Sequence, residues 1–293
     1  MYFQIFFQQI NITIFEKTAQ IIFGTKSENR IQFRKSSRLK TKNEPEIKKM
    51  LEKIKKIVLD TLFPIVCFGC QKSDFWLCEE CFQKIPLKRF QVCPKCEREA
   101  TLSGFLCGKC RASREFHLDA LISAVSYGNP TVKKMIHNFK YRFAGDLSAP
   151  LARLETKAIF FHDLPLPRAI VPVPLHPRRL RWRGFNQAHL LAENISRNLA
   201  PPFKIPVLDI LERRKYNKPQ MELGNYGDRA ENVRDLFKIK SDVSLDDIEG
   251  KIIYLVDDIA TTGSTLRECA KVLKHAGAKK IFAVVIARQA LKK

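Results

Sequence analysis

Residues 251–266 read KIIYLVDDIATTGSTL, and this stretch restricts the fold of the chain more than any other. Ile252, Ile253 and Val256 belong to an apolar, β-branched run that reads as a buried strand over 251–256. The run stops at two carboxylates, Asp257 and Asp258, and gives way to small and hydroxyl residues from Ala260 to Thr265. An amphipathic helix carrying Leu266, Val272 and Leu273 comes next. A strand that ends in a tight loop opening a helix makes an anion site. The first backbone N–H groups of the helix have no internal partner, and the helix dipole favours negative charge there. Gly263 lets the backbone come close, and Thr261, Thr262, Ser264 and Thr265 add hydroxyl donors. The acids would repel a bare phosphate. They fit a ligand that also offers sugar hydroxyls, or a divalent cation held through water, so the chemistry asks for a phosphorylated sugar with Mg2+. The plain alternative is an ordinary strand-to-helix turn capped by Ser or Thr. The loop has neither GxxxxGK[ST] nor GxGxxG, so the usual triphosphate and dinucleotide folds are not indicated.

The stretch resembles the phosphoribosyl-pyrophosphate (PRPP) motif of type I phosphoribosyltransferases, with VDDIATTGSTL matching at each diagnostic place. The resemblance implies that Asp257 and Asp258 bind the ribose hydroxyls and that Ala260, Thr261, Thr262, Gly263, Ser264 and Thr265 wrap the 5′-phosphate.

Eight of the nine cysteines form four CxxC pairs, Cys67/Cys70, Cys78/Cys81, Cys93/Cys96 and Cys107/Cys110. With no export signal in the sequence, zinc knuckles are the stronger reading than a disulfide framework. Two thiolates at this spacing grip one side of a tetrahedral Zn2+, and two such pairs complete a site. Four pairs allow one or two zinc ions, and two sites can be paired in three ways. Zinc would serve as a substitute core for a segment with few apolar residues. The alternative is a nucleic-acid-binding ribbon, since Lys84, Lys88, Arg89, Lys95, Arg98, Lys109, Arg111 and Arg114 surround the knuckles, with Phe68, Phe75 and Trp76 among them. Those aromatics serve equally as the module's own core. Cys269 stands apart, on the helix after the phosphate loop, and reads as a buried small hydrophobe.

The chain's net charge of +22 points to anionic partners, whether phosphates, nucleic acid or an acidic membrane surface. Residues 1–49 read unlike the rest, first rich in Phe, Ile and Gln, then polar, and they supply a net +6 of that charge. They read either as an amphipathic arm or as residues upstream of a true start at Met50, and we expect the second. Gln8, Gln9, Asn11, Glu16 and Lys17 interrupt their apolar run, so we expect no stable membrane insertion and a cytoplasmic location. A helical pattern opens at Met50 and ends at Phe63-Pro64.

After the cysteines, strand-like and helical patterns alternate: a strand over 120–127, helices over 132–141 and 144–158, a strand over 169–173, a helix over 187–199, and strands over 205–211, 237–240 and 280–287. Gly277 reads as the cap of the helix that ends at His275. Such alternation predicts an α/β fold with a mostly parallel sheet flanked by helices. The loop expected after Val173 gathers Arg178, Arg179, Arg181 and Arg183, and the C-terminal end of a strand is where such sheets bind ligands. The alternative is a surface arginine cluster. His176 reads as a loop-packing or hydrogen-bonding residue, since no partner acid stands beside it. Residues 212–232 are polar and basic, and read as a lid or as a solvated connection.

Together these pieces resemble the ComF family of phosphoribosyltransferase-like competence proteins, from about Met50 to Arg288. The marks are LFP before the first knuckle, the CxxC pairs, FKYRFAGDL, VPVPLHPRRLRWRGFNQAHLLA, the RR…Q…R..N run and VDDIATTGSTL with AGAKKIFAVVIAR after it. One departure is Asn217, where the family usually has Thr three residues before the Gln, here Gln220. The resemblance implies a helix and zinc-binding module over 50–115 ahead of a type I phosphoribosyltransferase-like domain over 116–293. It also implies PRPP binding with Mg2+ and a link to DNA uptake in natural transformation; for an enzyme, Arg178, Arg181 and Arg183 are the candidates to hold the pyrophosphate. Two functions follow. One is transfer of phosphoribose to an acceptor the sequence does not name. The other is a non-catalytic factor that holds single-stranded DNA or a helicase and uses PRPP as a regulatory ligand.

Overall fold

The structure, a computed structural model, describes residues 64–101, 103–112, 116–141, 145–213 and 236–289. The chain divides into two compact units, Met1–Val58 and Leu59–Lys293, and every described residue belongs to the second. The expectations for residues 1–49, for the helix from Met50 to Leu62, for Arg114 and for most of the lid, with Asn217 and Gln220, lie outside the described residues.

In chain order the helices are α1 (Glu79–Gln83), α2 (Gly108–Arg111), α3 (Pro130–Tyr141), α4 (Ser148–Phe161), α5 (Pro177–Arg183), α6 (Gln187–Leu199) and α7 (Ser264–His275). The strands are β1 (Gln91–Val92), β2 (Ala100–Thr101), β3 (Ala120–Ser126), β4 (Ala169–Pro172), β5 (Leu211–Arg213), β6 (Phe237–Ile239), β7 (Ile252–Ala260) and β8 (Lys280–Arg288). Short 3-10 turns stand at Gly145–Leu147 and Leu245–Asp247. The expected sheet is there: four strands in the order β3-β8-β7-β4, with every pairing parallel. The two central strands read as near-continuous apolar runs because both of their faces are covered.

Alternate residues of these strands serve two cores. Tyr254, Val256, Phe282 and Val284 face α3, α4 and α6. Ile253, Leu255, Ala283 and Val285 face α7 and the antiparallel pair β5–β6. Thus the connection after β4 covers one face of the sheet and the helix after β7 covers the other. The crevice where connections part in this way is the usual ligand position in an open α/β sheet.

Three expectations change. Strand β7 does not stop at Val256 but runs to Ala260, because the nine residues of β8 continue to pair with it as far as Ala260↔Arg288. The expected strand over 205–211 breaks into a bridge at Val207, which lies parallel to Ile170 beside β4, and the first residue of β5 at Leu211. Pro206 there has no N–H to give to a ladder. The arginine-rich segment is not a loop but helix α5, with Pro177 at its first turn and Gly184 ending it in the left-handed conformation at φ 76°. A smaller change concerns α7, which is capped by Ala276, with Gly277 taking the left-handed turn just beyond at φ 93°.

The cysteine segment is joined to the sheet. Antiparallel bridges at Leu87↔Val125 and Phe105↔Ala120 lay it along the free edge of β3. Gln91, buried, donates to the Ser123 carbonyl at 3.0 Å and accepts from the Ser123 N–H at 3.1 Å. Leu77, Phe82 and Ile85 continue the core beneath α4. No described helix is long and apolar enough to cross a membrane.

Candidate functional site

Strand β4 ends its pairing at Pro172↔Val256, so β7 projects Asp257–Ala260 past it into the crevice. Successive strand residues point to opposite faces, and the two acids therefore part company. Asp257 lines an open cleft with Ile259, Ala260, Thr261, Gly263, Ser264, Thr265 and Leu266. Asp258 is buried on the α3 side, where Lys140 meets its carboxylate at 2.9 Å. The backbone still joins them, since the Asp258 N–H donates to Asp257 Oδ1 at 2.8 Å.

The loop closes tightly onto α7. Gly263 sits at φ 67°, ψ 7°, a conformation that Gly adopts without strain. Space is not the reason, since a Cβ there would meet only Leu121 Cδ2 at 3.9 Å. Thr262 is buried, donates its hydroxyl to Ser264 Oγ at 2.9 Å and accepts from the Ser264 N–H at 3.3 Å. Thr262 therefore shapes the loop from inside, while Thr261, Ser264 and Thr265 line the cleft at the helix N-terminus.

The arginines of α5 differ in exposure. Arg183 donates to Gln187 Oε1 at 3.0 Å and lies 5.6 Å from the Tyr141 ring centre. It is close enough to the acids to pull the Asp257 pKa down. Arg178 and Arg181 are exposed on the same helix. His176 caps that helix, its Nδ1 accepting from the Arg178 N–H at 3.2 Å. Partial burial and the neighbouring arginines Arg213, Arg178, Arg179 and Arg181 hold its pKa below the usual histidine range.

Burial and the adjacent Asp258 charge push Asp257 up to about 7, against the opposing pull of Lys140, the Asp258 N–H and Arg183. A third carboxyl stands behind them. Glu155 of α4 is fully buried, and neither of its oxygens has a hydrogen-bond partner. Burial, then Asp258 and Asp257, raise its pKa well above the ordinary carboxylate value, so the proton is held more tightly there than in water. The sequence reading missed Glu155 and did not pair Lys140 with Asp258. The signal for Glu155 was present, because it falls on the i, i+4 stripe between Leu151 and Ile159 that α4 turns to the core. Tyr141 and Trp182 were also missed. They are partly exposed, with ring centres 6.0 Å apart beside Arg183.

The cysteines form two sets. Cys67, Cys70, Cys78 and Cys81 have all their Sγ atoms within 4.8 Å of one another, and so do Cys93, Cys96, Cys107 and Cys110. None of the eight is joined in a disulfide. Four sulfurs about 2.3 Å from one Zn2+ would lie roughly 3.8 Å apart. The distances of 3.6 Å between Cys70 and Cys78 and 3.9 Å between Cys96 and Cys107 fit that edge. Each leading knuckle turns the same way. Gln71 and Glu97 follow it with φ of 65° and 57°, and donate back to the carbonyls of Cys67 and Cys93 at 2.9 and 3.0 Å. Backbone N–H groups of Gly69 and Cys78 reach Cys67 Sγ, and that of Cys107 reaches Cys93 Sγ, at 3.3–3.4 Å. Burial alone would raise the Cys67 thiol, but backbone N–H groups outweigh it and draw the pKa to about 6. Phe68 and Trp76 stack at 5.9 Å and 16° and pack against this core.

A family model described as phosphoribosyl transferase domain matches residues 186–293. Competence protein F of Haemophilus influenzae is 34% identical over 228 residues, covering 76% of this chain and 90% of that protein. DNA utilization protein YhgH of Escherichia coli (strain K12) is 29% identical over 223 residues, covering 73% and 93%. Competence protein ComFC of Bacillus subtilis is 29% identical over 219 residues, covering 70% and 81%. Among solved structures, an allosteric regulatory enzyme of purine biosynthesis aligns at 18% identity with a TM-score of 0.32, over 52% of this chain and 30% of that one.

Proposed function

The chain belongs to the ComF family, and from that premise we propose that it binds PRPP with Mg2+ at the C-terminal end of β7 and transfers phosphoribose to an acceptor, releasing pyrophosphate. The observation that carries this reading is Asp257 in one cleft with Thr261, Gly263, Ser264 and Thr265 at the N-terminus of α7. The helix N–H groups and hydroxyls suit a 5′-phosphate, and the Asp257 carboxylate suits ribose hydroxyls. Breaking the bond at the anomeric carbon leaves positive charge on the sugar and negative charge on pyrophosphate. Asp257 and Asp258 steady the first, and Arg183, with Arg178 and Arg181 on the same helix, steadies the second. Mg2+ would supply further charge neutralisation at the pyrophosphate when bound. The two cysteine sets would each hold one structural Zn2+.

Two measurements test the reading. Calorimetry should show that PRPP binding is lost in Asp257→Asn/Asp258→Asn while the fold is kept; unchanged affinity refutes the site. Pyrophosphate release from PRPP across a panel of bases, amines and oligonucleotides then identifies the acceptor, and no release with any of them argues against transfer.

A second reading is favoured by Tyr141 and Trp182 beside Arg183. Aromatic faces interleaved with arginine suit single-stranded DNA, the substrate class of a competence factor that binds DNA or a helicase and uses PRPP as a regulatory ligand. DNA affinity that falls steeply with salt, drops in Tyr141→Ala/Trp182→Ala and survives loss of PRPP binding supports it. Affinity untouched by both substitutions refutes it.

A further inference from the structure

Two largely buried side chains join the second cysteine loop to the root of the phosphate loop. Arg288 is the last residue of β8, and its guanidinium lies 2.9 Å from the Glu97 carboxylate. Their side chains are 6% and 16% exposed, so the pair is largely withdrawn from water. Glu97 follows Cys96 directly, and the knuckle fixes its backbone through the left-handed turn and the 3.0 Å bond to the Cys93 carbonyl. On the other side, Arg288 stands in register with Ala260, the last strand residue before Thr261. The next residue, Gln289, donates its N–H to the Ala260 carbonyl at 2.9 Å. Both strands therefore leave the sheet together, at the point where the ion pair holds β8.

The local charges need this carboxylate. Lys88 comes from the same cysteine segment, and burial together with the Arg288 charge lowers its pKa. Two cations share a region where burial penalises charge, and Glu97 answers them. Among the described residues the first cysteine set makes no comparable link. Its pair to α4, Glu79 with Arg153, also spans 2.9 Å, but the side chains are 59% and 47% exposed. An exposed pair of that kind contributes little, whereas removing one partner of a buried pair leaves an uncompensated charge.

We propose that Glu97 and Arg288 are a positioning pair for the phosphate-binding loop, so that the second cysteine loop is a working part of the ligand site and the first is not. The proposal rests on reading residues 260–265 as the PRPP site. The test uses the full chain with its metal content verified, and follows PRPP affinity by calorimetry. Glu97→Gln should weaken PRPP roughly tenfold at unchanged zinc content, and Glu97→Arg with Arg288→Glu should recover most of that loss, as for contacting residues in a double-mutant cycle. Glu79→Gln should leave affinity unchanged. Amide exchange across residues 260–265 should quicken in Glu97→Gln, a readout that stands even if the charge-swapped chain does not fold. A parent chain that binds PRPP, with Glu97→Gln binding equally well and exchanging no faster, overturns the pair alone. A parent chain that does not bind PRPP overturns the site reading and the pair with it.

Discussion

Lys140, in the last turn of α3, holds Asp258 at 2.9 Å on the face of β7 away from the cleft. Three carboxyls, Asp257, Asp258 and Glu155, interact there, and Lys140 is in contact with Asp258. The arrangement lets two neighbouring acids divide the work, one open to ligand and the other fixed from behind.

Lys140→Met removes that cation from a pair whose side chains are 19% and 9% exposed. We expect a loss of about 2–4 kcal/mol near pH 8, the cost of an uncompensated buried charge. Part of it should return near pH 5, where Asp257, with its pKa of about 7, is protonated and no longer adds its charge beside Asp258. Urea melts at the two pH values check this, and an equal loss at both contradicts it.

Asp257 gives the pH dependence its sign. Its folded pKa of about 7 lies above the ordinary value near ~4 of an unfolded chain, so the native state holds the proton more tightly. This contribution favours folding below about pH 4, is lost as pH rises from about 4 to about 7, and stays lost above. Glu155 acts in the same direction. Asp257→Asn should therefore gain on the parent by on the order of 2 kcal/mol between about pH 4.5 and 7.5, a discounted figure because the carboxyl is partly solvated. PRPP affinity of the parent should rise over the same upper range, since the ionised carboxylate is the better acceptor for ribose hydroxyls. Denaturation and calorimetry across pH measure the two arms, and stability flat in Asp257 across this range contradicts the first.

How much of this was legible depended on whether the cause was local. The turn from β7 into α7 is written in contiguous residues, and the strand, the loop and the N-terminus of the helix stand close to where the sequence puts them. The end of β7 was misplaced because it is set by β8, some thirty residues later, and partner strands leave no mark on each other's sequence. The pairing of the cysteine knuckles was open for a similar reason; contacts across the module, and not the CxxC spacing, decide it. The arginine segment read as a loop because four arginines and two prolines suggest irregular chain. Yet Pro177 at a first turn and Gly184 after the last are the marks of a short helix. The division of Asp257 from Asp258 follows from strand alternation alone and was available once the strand was extended through them.

Gly263 tests conformation at the phosphate loop. Ala in its place keeps ordinary contacts but must adopt a left-handed φ of 67°, at a cost of about 1–2 kcal/mol. If the backbone relaxes to avoid that cost, the N–H groups at the start of α7 turn from the cleft. We expect Gly263→Ala to weaken PRPP binding by more than its loss in stability would suggest. Thermal melts and calorimetry on the same sample decide, and full affinity with reduced stability would show that the loop geometry does not matter to the ligand.

Two glycines inside the cysteine sets separate steric from conformational demands, and with them the zinc reading. A Cβ on Gly69 would come within 2.6 Å of Cys81 Sγ and 2.9 Å of Cys81 Cβ, in the middle of the first set. A Cβ on Gly108, in the turn of α2 inside the second set, would meet nothing within 4 Å. Ala at position 108 should even help slightly, since Gly is the poorer helix former by about 1 kcal/mol. If each set holds a zinc ion, Gly69→Ala should push Cys81 out of tetrahedral geometry and lower the metal content from two zinc per chain to one, with a lower melting temperature. Gly108→Ala should keep both ions and the parent's melting temperature or better. Metal analysis of the purified chains distinguishes the outcomes, and two tightly held zinc ions in Gly69→Ala would mean that the first set of cysteines does not close around a metal as its geometry indicates.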